Sequence, residues 1–109
     1  MVLKQEIIVI FSTAPPDKSE SLARMLVCRR LVACVNVVPV CSFYTWKGAF
    51  CKEPEHLLIA KTSKDRSEEV IAALKAIHPN DVPEIITLPV TGGHLPYLEW
   101  VLEETRDSL

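Results

Sequence analysis

The sequence contains little glycine, few aromatic residues and almost no net charge. Its only glycines are Gly48, Gly92 and Gly93, so it lacks the glycine-rich loop that cradles phosphate groups. The 12 basic residues are balanced by 14 acidic ones, and the net charge is −2. Binding to a nucleic-acid backbone requires a basic face. The composition therefore argues against a nucleic-acid-binding protein.

Long hydrophobic runs are also missing. No unbroken apolar stretch is longer than that of residues 7–11, whereas a membrane-spanning helix needs about 20 apolar residues. Charged Lys4 and Glu6 interrupt the region where a signal peptide would need a continuous apolar block. These observations predict a protein without membrane contact, and we expect it in the cytoplasm.

Hydrophobic residues, by contrast, make up 49% of the 109 residues. A chain of this length is predicted to fold as one domain, over residues 1–109, that buries somewhat over about 60% of its unfolded surface. The high apolar content and low net charge exclude a disordered chain. The apolar fraction is nevertheless large for so small an interior.

Strand-like and helix-like patterns alternate along the chain. Residues 7–11 are apolar on both faces, as in a central strand, and residues 70, 73, 74 and 77 have the spacing of a core-facing helix. The predicted strands are residues 6–13, 32–46, 55–62 and 84–90, and the predicted helices are residues 15–30, 63–78 and 95–108. The order predicts an α+β ferredoxin-like βαββαβ sandwich followed by a C-terminal helix.

A long hairpin is predicted in the middle of the chain, because a Lys-Gly pair follows Trp46 and begins a two-residue turn. If Trp46 pairs with Ala49, then Tyr44 lies opposite Cys51. Cys41 and Tyr44 point to opposite faces of their strand, so Cys41 and Cys51 should not meet.

The four cysteines, at positions 28, 34, 41 and 51, contain no Cys-x-x-Cys pair of the kind found in zinc ribbons. Without an export signal they are expected to stay reduced. Free cysteine is among the most buried residue types. We therefore expect most of these side chains to be buried as small hydrophobic groups.

The apolar surplus predicts self-association. Two helices cover one face of the sheet, yet residues 7–11 and 35–38 are apolar on both faces. Aromatic residues left over after a core is filled are typical interface anchors. The expected interface residues are Tyr44 and Trp46 near the hairpin tip and Tyr97 and Trp100 on the last helix.

An ordered series of short motifs identifies a family. The series is Ser-Thr-Ala-Pro at 12–15, Ala-Cys-Val-Asn at 33–36, Tyr-Thr-Trp-Lys-Gly at 44–48, Ile-Ala-Lys-Thr at 59–62, His-Pro at 78–79, Val-Pro-Glu at 82–84, Leu-Pro-Val at 88–90 and Tyr-Leu-Glu-Trp at 97–100. The chain resembles the CutA family of divalent-cation tolerance proteins. This resemblance implies a homotrimer of ferredoxin-like subunits whose long hairpins pair between neighbours.

The family's link to copper tolerance implies a relation to divalent metals, and thiolate and imidazole groups suit copper and zinc. Cys34 and His78 are the candidate metal ligands. Copper-binding relatives carry a Cys and a His where this chain has Ser12 and Ile77, so we expect weak binding at most. The same Cys34–His78 pair could serve nucleophilic catalysis, but no enzyme motif is present and we predict a non-enzyme.

A second hypothesis follows from the resemblance of CutA trimers to nitrogen-regulatory signal proteins, which bind small effectors between subunits. By this analogy Asn36, Lys61 and Glu84 would line an inter-subunit cleft for a small molecule or anion. Alternatively, Lys61 and Glu84 are strand-end residues that pair with each other. A third possibility is a structural or assembly role without a ligand.

Overall fold

The computed structural model describes residues 5–106. The strands are β1 (Ile7–Ala14), β2 (Cys34–Trp46), β3 (Ala49–Ser63) and β4 (Ile85–Pro89), and the helices are α1 (Ser19–Cys28), α2 (Ser67–Ile77) and α3 (Leu95–Thr105). A single 3-10 turn joins β3 to α2. This order confirms the predicted ferredoxin-like βαββαβ arrangement with a further helix. The predicted end of that helix at residue 108 lies outside the described residues.

The strands form one antiparallel sheet in the order β2-β3-β1-β4. Strand β1 lies inside the sheet, as its apolar run predicts, and pairs with β3 on one side and β4 on the other. Strands β2 and β4 are the edges, and each therefore leaves one row of backbone groups without a partner in the sheet.

Helices α1 and α2 cover one face of the sheet, which we call the covered face. Alternate residues of β1 and β3 point to this face because side chains alternate along a strand. The core consists of side chains from both layers, among them Ile8, Ile10, Leu58 and Ala60 from the strands and Leu22, Leu26, Val70 and Leu74 from the helices.

Helix α3 packs against β1 and β3 on the opposite face, which we call the open face. Ile7 and Val101 are buried there but lie outside the main core. The single helix leaves apolar side chains uncovered: Ile86 of β4 is 50% exposed, and its neighbour Phe11 of β1 is only partly buried. Some of the apolar residues that the core does not include therefore lie on the open face.

The hairpin of β2 and β3 has the predicted register, with Trp46 opposite Ala49 and Tyr44 opposite Cys51. Lys47 (φ 50°) and Gly48 (φ 82°) both have positive φ, as expected for a type I′ turn. The hairpin projects beyond the helices, and the chain measures 50 Å along its longest axis but only 27 and 20 Å across.

Several predicted boundaries are wrong. Helix α2 begins at Ser67 and not at residue 63, because residues 64–66 form a 3-10 turn. Helix α1 begins at Ser19, because Pro15 starts a turn that the Lys18 amide closes onto its carbonyl. Strand β3 runs unbroken through Pro54. Strand β1 ends opposite His56, so at Pro54 only β2 lies beside β3, and a missing N–H can be accommodated there.

The expectation that most cysteines are buried is also wrong. Cys28 and Cys41 are exposed and Cys34 and Cys51 are partly buried, and all four are free thiols. Cys28 ends α1, and Cys41 and Cys51 lie on the hairpin beyond the helices, where the fold provides no core. His56 is partly buried, and its Nδ1 lies 2.7 Å from the Ser19 hydroxyl.

Candidate functional site

His78 follows α2 directly and connects two parts of the chain. The side chain is 8% exposed, its Nε2 lies 2.8 Å from the Thr13 carbonyl oxygen, and the Asn80 amide donates to its Nδ1 over 3.1 Å. Since Nδ1 accepts a hydrogen bond, the proton resides on Nε2, which donates to Thr13. The ring thus fastens the loop after α2 to the end of β1.

Cys34 belongs to a polar cluster on the open face. The register places Cys34 opposite Lys61, and the Lys61 ammonium donates to the Asn36 side-chain oxygen. The Cys34 thiol lies 3.9 Å from that oxygen. Partial burial, the charge of the Cys34 sulfur and a hydrogen bond with it raise the pKa of Tyr97 on α3. We call Cys34, Asn36, Lys61 and Tyr97 the open-face cluster.

Cys34 and His78 lie far apart within the chain. Cys34 faces Lys61, which in turn faces Val9 of β1, whereas His78 bonds Thr13, four residues further along that strand. Four strand residues span about 13 Å, and two strand spacings add about 9 Å across the sheet. Within residues 5–106 no group of three or more His, Cys, Asp or Glu side chains is arranged to hold a metal ion.

Glu84 also lies apart from the other two predicted cleft residues. It precedes β4, whose first residue Ile85 faces Ser12, while Lys61 meets β1 at Val9 from the opposite side. No ion pair joins Lys61 to Glu84 among residues 5–106. The structure therefore brings Asn36 and Lys61 together and places Glu84 elsewhere.

Glu84 lines a cleft of about 580 Å³ beside the hairpin, which we call the hairpin cleft. One wall is the hairpin, with side chains of Tyr44, Trp46, Glu53 and Glu55, and the other is the loop 80–84, which includes Asp81. Because His78 fastens this loop to β1, His78 positions the second wall. Thr13, whose carbonyl accepts the His78 proton, lies at the base.

The hairpin wall of the cleft is strongly acidic. Partial burial, a hydrogen bond to Glu53 and the negative charges of Glu53, Cys51 and Glu55 raise the pKa of Tyr44 to about 12. The phenol of Tyr44 is therefore protonated at neutral pH and is available to donate a hydrogen bond to the Glu53 carboxylate.

Sequence reasoning overlooked Glu53, Glu55 and Asp81. One signal was present, because Glu53 and Glu55 are two residues apart on a predicted hairpin and so share one face of a strand. Their position opposite Asp81 depends on how the hairpin curves over the loop. The approach of these residues depends on contacts between distant parts of the chain, so a local sequence pattern does not predict it.

The four aromatic residues predicted for an interface are all partly exposed in the single chain. Trp46 and Trp100 are each 42% exposed. The rings of Tyr97 and Trp100 contact each other at 5.6 Å between centroids on α3. Tyr44 and Trp46 lie on the hairpin near its turn. Their place in a trimer interface stays a prediction.

The chain is similar to proteins named CutA in several organisms. It is 42% identical over 103 residues to the chloroplastic protein CutA 1 of Oryza sativa, which covers 93% of this chain and 58% of the relative. The chain thus spans little more than half the length of that relative. It is 39% identical over 99 residues to the divalent-cation tolerance protein CutA of Thermus thermophilus, covering 89% of this chain and 96% of the relative.

Solved structures share the fold. A PII-like protein CutA from Nostoc matches with a TM-score of 0.88 and 35% identity over 91% of this chain and 97% of its own. A CutA from Archaeoglobus fulgidus, described as periplasmic, matches with a TM-score of 0.89 and 33% identity over 92% of this chain and 99% of its own.

These relatives contradict the expectation of a cytoplasmic protein, because some are chloroplastic and one is periplasmic. Relatives with this fold carry names from different compartments, so the lack of a long apolar run does not identify the compartment of this chain. Separately, none of the helices in residues 5–106 has the length and apolar character needed to cross a membrane.

The family assignment rests on almost the whole fold. The model of the CutA1 divalent ion tolerance protein matches residues 7–104, a span that begins with β1 and ends within α3. Together with the CutA relatives and structures, this match shows that the chain belongs to the CutA1 divalent ion tolerance family.

Proposed function

We propose that this protein is a homotrimer that acts in the response to divalent metal ions such as copper, without catalysing a reaction and with weak metal binding at most. The observation that carries the proposal is the incompletely covered open face. Family membership supports the metal relation, and the resemblance described above supports three copies rather than two.

Apolar side chains of β4 remain uncovered on the open face. Leu88 and Ile86 of β4 are 38% and 50% exposed, and they face Val9 and Phe11 of β1 on the open face. Contiguous exposed apolar surface on a soluble protein is characteristic of an interaction site. A second and a third copy would cover this surface and the aromatic residues of α3.

The two free sheet edges support the same assembly. Strand β2, with 13 residues, is an edge strand along its whole length, and β4 forms the other edge. Long uncovered edges are usually paired or blocked in native proteins. Pairing between copies would satisfy their backbone groups and would bring Tyr44 and Trp46 of the hairpin near a neighbour.

The separation of the Cys34 thiol from the His78 imidazole supports a non-enzymatic role. His78 uses both ring nitrogens in hydrogen bonds, and the register separates it from Cys34. An imidazole that acts as a base must reach the group it deprotonates, and His78 does not reach the Cys34 thiol within one chain.

Weak metal binding is consistent with the open-face cluster. The Cys34 thiol is partly exposed and lies beside the Asn36 oxygen, but the adjacent Lys61 ammonium repels a cation. A single thiol with one amide oxygen provides fewer ligands than the four of a structural zinc site.

Light scattering tests the assembly. We expect a mass three times the 12.2 kDa of the chain at micromolar protein concentration. A folded monomer would contradict the proposal, and a dimer would contradict the trimer specifically.

Equilibrium dialysis tests the metal relation independently of the assembly. We expect weak binding of copper that Cys34→Ser reduces and that Cys28→Ser, a matched change at an exposed thiol of α1, leaves unchanged. If neither copper nor zinc binds, the direct metal contact is wrong, although the trimer can still be correct.

The open-face cluster also favours a second candidate function, binding of a small anionic effector. The Lys61 ammonium is held by Asn36 in place on the open face, where a carboxylate or phosphate group could replace the amide as its partner. Such a ligand should raise the unfolding temperature as its concentration rises. Glu84 of a neighbouring copy would complete the predicted cleft only in the trimer.

A further inference from the structure

Cys41 and His56 are diagonal neighbours on the hairpin. The register places Pro39 opposite His56 and Pro54 opposite Cys41, and residues two apart on a strand share a face. His56 lies two residues before Leu58 of the core, so both side chains are on the covered-face side of the strands. The Cα atoms of diagonal neighbours are about 7–8 Å apart, within reach of a long side chain such as imidazole.

The surroundings of this pair contain no competing polar side chain between the two residues. The other diagonal of the same four-residue block is occupied by Pro39 and Pro54, whose rings are apolar. Neither Cys41 nor His56 lines the hairpin cleft. The trimer proposed above buries the open face, which is the opposite side of these strands.

Hydrogen bonds fix the ring of His56. Its Nδ1 lies 2.7 Å from the hydroxyl of Ser19, which is 4% exposed. That hydroxyl lies 3.2 Å from the Pro16 carbonyl oxygen, which can only accept. All three groups have a partner when Ser19 donates to Pro16 and accepts from Nδ1. The neutral ring then carries its lone pair on Nε2, which has no hydrogen-bond partner within residues 5–106.

An imidazole held in this way is arranged like a metal ligand. A ligating His usually donates its other ring N–H to an oxygen acceptor, which fixes the tautomer and the direction of the ring. Ser19 provides such an acceptor for His56. Metal–sulfur and metal–nitrogen bonds are about 2.0–2.3 Å long, so one ion can join a sulfur and a nitrogen about 4 Å apart.

The number and type of ligands favour a soft monovalent ion. Within residues 5–106 no group of three or more His, Cys, Asp or Glu side chains is arranged around one point, whereas structural Zn²⁺ takes four ligands. Thiolate selects Cu(I), which two ligands in a line can satisfy. One thiolate neutralises one Cu(I), so the Lys52 ammonium on the same face does not repel the resulting neutral pair.

We propose that Cys41 and His56 form a two-coordinate site for a soft monovalent metal ion, Cu(I). The ion bonds to Sγ of Cys41 and to Nε2 of His56. The thiol proton passes to solvent as the copper–sulfur bond forms, and no electron is transferred. This site goes beyond the proposed response to divalent ions and shares no residue with the open-face cluster or with His78.

Single-cysteine variants isolate the site. Cys28→Ser, Cys34→Ser and Cys51→Ser together leave Cys41, and a matched variant with Cys41→Ser in place of Cys51→Ser leaves Cys51, on the opposite face of the same hairpin. Each is titrated without oxygen against the coloured Cu(I) complex of bicinchoninate, whose absorbance falls as the protein removes copper. We expect about one Cu(I) per chain in the Cys41 variant and a dissociation constant at least about a hundredfold higher in the Cys51 variant.

Replacement of the histidine tests the second ligand. His56→Gln in the Cys41 variant should raise the dissociation constant for Cu(I) at least about a hundredfold, because loss of an outer-shell partner alone costs about 10–100-fold. His94→Gln, a matched change at an exposed histidine before α3, should leave it unchanged. X-ray absorption spectroscopy should show one sulfur and one nitrogen bound to copper.

Three results would overturn the proposal. Equal Cu(I) affinity with and without His56 would mean that a thiol alone binds the ion, as would equal affinity of the Cys41 and Cys51 variants. Displacement of Cu(I) by an equal concentration of Zn²⁺ would show that the site does not prefer a monovalent ion.

The outcome is separate from that of the proposed function. Light scattering on copper-free and copper-loaded samples reports the trimer, and the dialysis of Cys34→Ser described above measures divalent binding at the open-face cluster. Loss of the Cys41–His56 site would therefore leave the proposed function intact, and a monomeric protein could still bind Cu(I) between these two residues.

Discussion

The two faces of the sheet are built from alternating residues of the same strands, yet only one is fully covered. Leu58 on the covered face is 1% exposed, while its chain neighbours Leu57 and Ile59 on the open face are only partly buried. Two helices cover the first face and one helix crosses the second. The difference shows that many of the apolar residues of this sequence lie on the open face. An apolar residue of a strand therefore need not belong to the core.

The comparison can be tested most strongly at two adjacent leucines. Leu58→Ala should lower the free energy of unfolding by about 2–5 kcal/mol, because it opens a cavity in the core. Leu57→Ala should cost about 1–2 kcal/mol in a separate chain, but more in a trimer that buries it, with a cost that depends on protein concentration. Urea unfolding at two protein concentrations measures both values.

Equal, concentration-independent costs at Leu57 and Leu58 would show that the two faces are equally buried without any partner. The distinction between covered and open faces would then be wrong.

The aromatic residues of α3 are expected to contribute next most to the assembly. Trp100→Ala should weaken the trimer by about 2 kcal/mol or more if Trp100 is an interface hot spot. Light scattering over a dilution series should show dissociation at higher concentrations than for the unsubstituted protein. Glu99→Ala, a neighbouring exposed change, serves as the control and should leave the dilution curve unchanged.

Two buried hydroxyl groups on the covered face differ in their hydrogen bonding, and this difference can be tested. The hydroxyl of Ser12, at 2% exposure, is buried without a hydrogen-bond partner among residues 5–106, whereas the Thr62 hydroxyl donates to the Leu31 carbonyl over 2.7 Å. Ser12→Ala should therefore raise stability by about 1 kcal/mol and Thr62→Val should lower it by about 1 kcal/mol. Thermal unfolding would show shifts of opposite sign, and a loss of stability in Ser12→Ala would show that its hydroxyl has a partner.

The smallest change in stability is expected at Arg30, whose side chain links the end of α1 on the covered face to α3 on the open face. Arg30 lies two residues after the end of α1, has a φ of 59° and donates to the Glu103 carbonyl of α3. Arg30→Gly relieves the backbone strain but loses this bond, so we expect a net gain below about 1 kcal/mol. Arg30→Lys loses the bond and keeps the strain, and should therefore be slightly destabilising. Chemical unfolding of Arg30→Gly and Arg30→Lys compares the effect of the backbone strain with that of the lost hydrogen bond. Equal free energies of unfolding for the two variants would show that the positive φ of Arg30 causes no strain.

Local patterns in the sequence predicted the elements and the hairpin register. The Lys-Gly pair fixed the turn, and from it the pairing of Trp46 with Ala49 followed. Such features depend on neighbouring residues and on the alternation of side chains along a strand. The uncovered second face was also predictable, because residues 7–11 are apolar at every position.

Features that depend on distant parts of the chain were not predictable. The separation of Glu84 from Lys61 arises because β1 lies between their strands. The exposure of Cys41 arises because the hairpin extends beyond the helices. In the same way, the cleft exists only where the hairpin and the loop 80–84 approach each other, and no periodicity in either segment indicates that approach.

The hydrogen bonds of His78 make metal coordination and an ordered cleft mutually exclusive at this residue. A metal ion that took Nδ1 would displace the Asn80 amide, and one that took Nε2 would displace the bond to Thr13. Either exchange would release the loop that carries Asp81 and Glu84. An ion bound at His78 would therefore loosen one wall of the cleft without entering it.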